Sequence, residues 1–296
     1  MRNKKKILIT GGTGFIGSAI IRQLLKKNIS LLNLDCLSYA SNTKNLFDVE
    51  KKKGYKFLKL DISNKKQLIK VFNLFKPDYV INCAAETHVD RSIINAKKFI
   101  KSNIIGTYNL LECTREFLIK NKKFKRFHQI STDEIFGDLY KVAKPPNENS
   151  AYLPSSPYSA SKASSDHLVT SWGRTYKIPY SISICTNNYG PHQFPEKLIP
   201  KTIINAMKGK KIPIYGDGKQ IRDWLFVEDH ARAIQKIIFS RKTKNNKFNI
   251  SGNNQIYNIN LVNMICDYLN KKIIFNKNDK FKIKNLIEFV KDRPGH

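Results

Sequence analysis

The sequence predicts an α/β fold: a doubly wound parallel sheet followed by a smaller C-terminal α/β region. Up to about residue 185, short β-branched runs alternate with helical patterns, the rhythm of right-handed strand–helix–strand crossovers. A cluster of glycines separates the first run from the first helical pattern. Beyond about Asn187 the rhythm breaks, and Pro191, Pro195, Pro200 and Pro213 punctuate what read as loops. The expected boundary falls at residue 186, with 1–186 as the sheet domain and 187–296 as mainly the second region.

In chain order, “KKILIT” ending at Thr10 is a strand, and the amphipathic “SAIIRQLLKK” after the glycines is its crossover helix. “SLLNLD”, “YKFLKLD”, “DYVINCAA”, “RFHQIS” and “YSISIC” are the following strands, with helix-like segments between most of them. No internal repeat interrupts the series.

Composition sets the class. The 296 residues include 41% hydrophobic residues, enough for a large core. No apolar run approaches the 18 or so residues of a membrane helix. The four-residue apolar stretch after the basic opening is too short for a signal peptide. Five scattered cysteines (Cys36, Cys83, Cys113, Cys185 and Cys266) form no C-x-x-C pair, which suits a reducing cytoplasm and supplies no disulfide frame. The six histidines show no ligand spacing, so no metal site is expected. Lys and Arg total 53 against 23 acids, a net charge of +30. Such a field favours phosphate backbones. Here Lys, Asn and Ile are abundant throughout, and no nucleic-acid motif or stacking platform accompanies the basic clusters. The charge therefore reads as composition bias, not a nucleic-acid footprint.

The glycine cluster points to a dinucleotide. “ITGGTGFIGSAI” sets Gly11, Gly14 and Gly17 between a strand and a helix, the Rossmann-type arrangement of a tight turn and a helix N-terminus aimed at an anion. Asp35 ends the second strand 24 residues after Gly11, where an acid binds a ribose 2′-OH and repels the extra phosphate of NADP. Asp61-Ile62 and Ala84-Ala85 close the third and fourth strands on the same carboxyl edge, where ligands collect.

That edge also carries “STDEIFG”, with Asp133 and Glu134 side by side. Acids often begin helices as caps and dipole partners, so capping is one reading and acid–base chemistry the other. In “PYSASKASSDHL”, Pro157 marks a helix start, and Tyr158 and Lys162, four apart, share one face. An ammonium and a positive nicotinamide would lower the tyrosine pKa, letting it take a proton from a hydroxyl while NAD takes a hydride. A surface Tyr–Lys pairing is the bland alternative.

These strings, with “AAETHVDRSI” from Ala84, “TNNYGPHQFPEKLIP” from Thr186, “YGDGKQIRDWLFVEDHA” from Tyr215 and the terminal “DRPGH”, resemble the extended short-chain dehydrogenase/reductases. Within them the match is to the dTDP-glucose 4,6-dehydratase family, from Ile7 to the last residue. The resemblance implies a tightly bound, recycled NAD and a dTDP-glucose substrate. Tyr158 and Lys162 would oxidise C4, with Thr132 bonding its oxygen. Glu134 would be the base at C5 and Asp133 the acid at C6. It further assigns Phe15, Ile16, Cys36, Leu37, Ser38, Asp61, Ile62, Ala84, Ala85, Thr87, Ser102 and Asn188 to the cofactor. To the substrate it assigns Thr87, Asn187, Lys197, Leu198, Pro213, Tyr215, Arg222, Asn254, Asp292, Arg293 and His296. It implies a homodimer, and chains that continue past the position of His296, so that the second region is C-terminally truncated here. A uracil nucleotide, a 4-epimerase, or an inactive NAD- or nucleic-acid-binding protein are the alternatives.

Overall fold

The computed structural model describes residues 4–138, 144–272 and 282–292. It divides into two compact units. The larger holds the residues up to Cys185 together with Val227–Ile250; the smaller holds Thr186–Phe226 and the residues from Ser251 onward.

The larger unit is a seven-stranded, wholly parallel sheet. Its strands are β1 (Lys5–Thr10), β2 (Ile29–Asp35), β3 (Tyr55–Lys59), β4 (Tyr79–Asn82), β5 (Arg126–Thr132), β6 (Tyr180–Cys185) and β10 (Asn246–Ile250), ordered β10-β6-β5-β4-β1-β2-β3. The order reverses between β1 and β4, which opens a crevice at their carboxyl ends. Helices α1 (Phe15–Leu24), α2 (Lys65–Phe75), α3 (Val89–Ile94), α4 (Lys97–Phe99), α5 (Thr107–Lys120), α6 (Pro157–Tyr176) and α8 (Val227–Phe239) complete this unit. One apolar cluster packs β1, β4, β5 and β6 against α2, α5 and α6; a second packs the sheet against α1 and α8. The doubly wound parallel sheet expected from the alternating runs is the one observed.

The first boundary, after Cys185, falls within a residue of the one expected, but the sequence reading, which put 187–296 mainly in the second region, gave no sign of a return to the large sheet. The chain returns at Val227 to add α8 and β10 to the large sheet. Arg126 explains part of this return. Its buried guanidinium donates to the carbonyls of Ile237, Ser240 and Thr243, at 2.9–3.3 Å, at the end of α8. Ile237 lies in the last turn of α8, where carbonyls lack an intrahelical partner and carry the negative end of the dipole; Ser240 and Thr243 belong to the turn that follows. Arg126→Ala is expected to cost about 1–3 kcal/mol in urea unfolding, because it removes hydrogen bonds from a buried charged donor, while the Thr243 hydroxyl still serves the Ile237 and Ser240 carbonyls.

The smaller unit contains β7 (Asn187–Tyr189), α7 (Leu198–Met207), β8 (Ile212–Tyr215), β9 (Ile221–Phe226), β11 (Gln255–Tyr257), α9 (Asn258–Lys272) and β12 (Ile287–Val290). Its sheets are β11-β9-β7 and β12-β8, over a core that includes Ala206, Ile212, Val262, Cys266 and Ile283. Two prolines read as loop punctuation lie inside elements. Pro200 sits in the first turn of α7, where its missing N–H would have had no partner. Pro213 sits in β8, a two-stranded pairing that leaves one edge open. Among the described residues no helix is long and apolar enough to cross a membrane.

Candidate active site

At the mouth of the crevice, Gly11 has a φ of +68° and its absent Cβ would lie 2.7 Å from the Ala84 backbone, so only glycine fits. Gly17 brings α1 against the turn: a Cβ there would meet the Gly11 carbonyl at 2.3 Å. The N-terminus of α1 has Gly14 as its cap, no side-chain cap and no acid in its first turn. Its N–H groups, at Phe15 and Ile16 among others, are left for an external anion.

Asp35, only 4% exposed, has a structural task beyond the ligand contact expected of it. Its carboxylate accepts from the Thr13 amide at 3.0 Å, and from the Leu37 amide and Ser41 hydroxyl at 2.9 Å each. It thereby ties the glycine turn to the loop holding Cys36, Leu37 and Ser38, where Leu37 adopts φ +58°. Asp61 accepts from the Ser63 amide at 2.8 Å and pairs with Lys101 at 3.0 Å. Burial pushes its carboxyl up, but the Ser63 amide and Lys101 outweigh it and hold it below the usual range. Ile62 packs beneath Gly106, whose Cβ would meet it at 2.5 Å. Ala84 donates to the Thr10 hydroxyl at 3.2 Å; Thr87 is exposed beyond it and Ser102 half-buried. An uncapped helix N-terminus, a buried Thr13 hydroxyl with no partner and an acid at the end of β2 fit the pyrophosphate and ribose of NAD.

The catalytic candidates lie at the ends of β5 and α6. Thr132, the last residue of β5, caps a single short turn over Asp133–Phe136. Its hydroxyl also hydrogen-bonds Tyr158 and lies 3.3 Å from the Asp133 carboxylate. Asp133 is half-buried and Glu134 exposed. Gly137 ends the turn at φ +80°, where a Cβ would strike the Leu153 carbonyl at 2.1 Å.

Helix α6 begins as the sequence predicts, with Pro157 at its first turn and a Ser156–Ser159 capping box. Tyr158 is 7% and Lys162 5% exposed, which removes the surface-pair reading. The Tyr158 ring packs with Val89 and Phe99, and its amide donates to Ser92 at 3.2 Å. The Lys162 ammonium donates to the Ile130 carbonyl at 2.6 Å. The expected lowering of the Tyr158 phenol is not what the protein alone produces. Burial first, and then the charge of Glu134, hold it well above its ordinary value, with the Thr132 hydroxyl pulling the other way. A cation beside the ring is needed to bring it down, and a nicotinamide would supply one.

Sequence reasoning missed Asn103. It lies in a wide π-type turn, Ile100–Gly106, of the kind that recurs at functional sites. Its side chain brackets the Glu86 backbone at 2.9 and 3.0 Å and donates to Ser161 at 2.8 Å. It so locks the loop after β4 to the turn of α6 that carries Tyr158. A lone Asn in a helical pattern carries no signal of this.

In the smaller unit, Asn187 opens β7, and the buried Asn188 donates to the Thr186 carbonyl at 2.9 Å. Lys197 caps α7 and Leu198 begins it. Pro213 and Tyr215 lie on β8. Arg222, on β9, donates to the Ile221 carbonyl at 2.8 Å. No ion pair with the adjacent Asp223 is formed among the described residues. Asp223 accepts from Thr186 at 2.7 Å, from the Gly252 amide at 2.6 Å and from the Asn254 amide at 2.5 Å. Asp223, also missed, thus ties the start of β7 and the Asn254 loop to β9. Asp292 accepts from Gln220 at 3.1 Å; Arg293 and His296 lie outside the described residues.

The family description GDP-mannose 4,6 dehydratase matches residues 8–296. A dTDP-glucose 4,6-dehydratase of Neisseria gonorrhoeae is 48% identical over 298 residues, 99% of this chain and 86% of that protein. The crystal structure of DesIV, a dTDP-glucose 4,6-dehydratase from Streptomyces venezuelae solved with NAD bound, superposes with a TM-score of 0.87 at 35% identity, covering 98% of this chain and 86% of that one. A UDP-glucose 4-epimerase from Thermotoga maritima reaches a TM-score of 0.83 at 26% identity, covering 98% of this chain and 87% of that one. Fold alone is therefore shared across chemistries, whereas the sequence match is to dehydratases. The chain belongs to the GDP-mannose 4,6 dehydratase family, among its dTDP-glucose 4,6-dehydratases.

Proposed function

We propose that this chain is an NAD-dependent hydro-lyase that converts dTDP-glucose to dTDP-4-keto-6-deoxyglucose and water. The observation that carries the reading is the acid pair beside the tyrosine. Glu134 and Asp133 both bear electrostatically on the Tyr158 phenol, and Thr132 hydrogen-bonds it. An acid, a base and an alcohol-oxidising tyrosine within one cluster are what elimination next to a transient ketone requires.

Tyr158 takes the proton of the C4 hydroxyl, and Thr132 holds that oxygen in line. NAD, held by the glycine turn, the N-terminus of α1 and Asp35, would supply the acceptor for the C4 hydride and its donor to C6. The C4 ketone acidifies the neighbouring C5 proton, which Glu134 removes. Asp133 protonates the departing C6 hydroxyl, so that water leaves and a C5–C6 double bond remains. After hydride reaches C6, Glu134 returns its proton to C5. The product keeps the C4 ketone, so the proton that Tyr158 took from the C4 hydroxyl passes through solvent to replace the one Asp133 gave to the departing water, and all three residues end as they began.

The nucleotide is assigned to the smaller unit. Arg222 would supply a planar fork for diphosphate oxygens, and Asn187, Lys197, Leu198, Pro213, Tyr215, Asn254 and Asp292, which the resemblance gives to the substrate, belong to the same unit. A homodimer through α5 and α6 is supported by exposed apolar side chains on or beside these helices, including Tyr108, Ile119 and Tyr176. A reducing cytoplasm suits the five free thiols.

The test is mass spectrometry of dTDP-glucose after incubation with the purified chain, without and with added NAD. Loss of one water is expected, and already without added NAD if the cofactor travels with the protein. An unchanged sugar under both conditions, with UDP-glucose converted in parallel, would reassign the substrate.

A further inference from the structure

Asp166 is a buried acid that the reaction above does not use. Tyr158, Lys162 and Asp166 follow one another at four-residue steps on α6, so they share one stripe of the helix. Asp166 has no exposure. One carboxylate oxygen accepts from the Ser131 hydroxyl at 2.5 Å and lies 3.5 Å from the Tyr152 hydroxyl. The other is buried without a hydrogen-bond partner. A carboxylate in that condition is strongly disfavoured unless a cation answers it. The cation on the same stripe is Lys162, itself buried, with the Ile130 carbonyl as its bonded partner.

We propose that Asp166 is a positioning residue that keeps the Lys162 ammonium charged from the side away from Tyr158. This rests on the proposed function, in which Lys162 has the part beside Tyr158 in oxidising C4 that the resemblance implies. Burial lowers the Lys162 pKa, and the Asp166 charge is the largest influence opposing that shift, ahead of the Cys185 and Cys83 thiols. In return, burial lifts the Asp166 carboxyl to about 6, against the pull of Lys162, the Ser131 hydroxyl, Lys247 and the Tyr152 hydroxyl. These groups reach the acid from α6, β5, the segment before α6 and β10. Lys247 stands over the Tyr152 ring, 4.4 Å from its centre. The Cys83 thiol, pushed up to about 12 by burial, is neutral and cannot serve as the counter-charge. At neutral pH Asp166 is therefore an anion and Lys162 its cation.

Coupling between two titrating groups is reciprocal, which permits a test that needs no turnover. Carboxyl-carbon NMR of aspartate-labelled protein would be recorded across pH for the wild type, Asp166→Asn and Lys162→Met. The resonance missing from Asp166→Asn should titrate near 6 in the wild type. It should move up by about one pH unit or more in Lys162→Met, the effect of removing a nearby opposite charge. In kinetics, Asp166→Asn should lose kcat with rising pH about one unit or more earlier than the wild type, with KM for dTDP-glucose within about twofold. Asn keeps the size of Asp and can still accept from Ser131, so the fold is retained. An unmoved resonance in Lys162→Met, or an unchanged alkaline profile in Asp166→Asn, overturns the proposal. If the resonance moves while the wild type leaves dTDP-glucose unchanged, the coupling stands and the substrate reading falls.

Discussion

Glu134→Gln and Asp133→Asn are each expected to lower kcat by about 10²–10⁴-fold, the range of a lost general acid or base. Folding stability should change by no more than about 0.5 kcal/mol, as for other surface substitutions. This split separates the two readings of the acid pair. As caps, Asp133 and Glu134 would serve a turn of four residues already capped by Thr132, and so short a turn has little dipole to stabilise. Glu134 is exposed and Asp133 only half-buried, so neither carboxylate is needed for packing. Both amides keep the size of the acids and lose the ability to exchange a proton. A capping role predicts a small loss of stability and a near-normal kcat. The proposed chemistry predicts the reverse, with KM little changed because the substrate nucleotide is held elsewhere. Steady-state kinetics and urea unfolding on the same preparations decide between them.

Acid should destabilise the larger unit through two histidines that no catalytic step uses. His128, on β5, has its ring nitrogens 2.8 and 3.1 Å from the hydroxyls of Ser181 and Ser183, and His230 on α8 is equally buried. Burial pulls His128 down to about 3, with the charges of His230 and Arg126 adding to it, and pulls His230 down to about 4. The unfolded chain takes up these protons near 6.5, so it binds more protons than the folded chain at every pH between. Stability is therefore fully present above about pH 6.5 and falls as the pH drops, by about 1.4 kcal/mol per pH unit for each histidine. Asp166, lifted to about 6, works in the opposite sense below that pH and offsets one histidine. Summed from pH 6.5 to 4, the net loss is about 4 kcal/mol, most of the stability of a protein at the lower end of the usual range of about 5–15 kcal/mol. His128→Gln keeps a polar partner for the serines and removes one titration. Its urea stability should fall with acid less steeply than the wild type, by about 1.4 kcal/mol per pH unit between pH 6 and 4. Parallel pH dependences for the two proteins would remove His128 from the account.

The outline of the larger unit and most of its chemical positions were legible along the chain. β-branched runs, the glycine spacing of Gly11, Gly14 and Gly17, Asp35 at a strand end and Pro157 before a helix are local signals. Each acts through backbone sterics or hydrogen bonds within a few residues, and periodicity alone then stacks the strands. The resemblance added the roles of Thr132, Asp133 and Glu134, which spacing left open between capping and catalysis.

What the chain could not disclose depends on pairings between distant segments. The return of Val227–Ile250 to the large sheet rests on β10 pairing with β6 and on Arg126 closing α8 from more than a hundred residues away. Asn103, Asp223 and the buried His128 look like ordinary polar residues until folding surrounds them. Asp166 is one more acid in a helix until burial removes water from it and leaves Lys162 as its counter-charge. Local sequence determines which element a residue joins, because those forces act within a turn or two. Only tertiary structure decides which charges share a dry interior, since desolvation and Coulomb interaction depend on neighbours in space and not on neighbours in the chain.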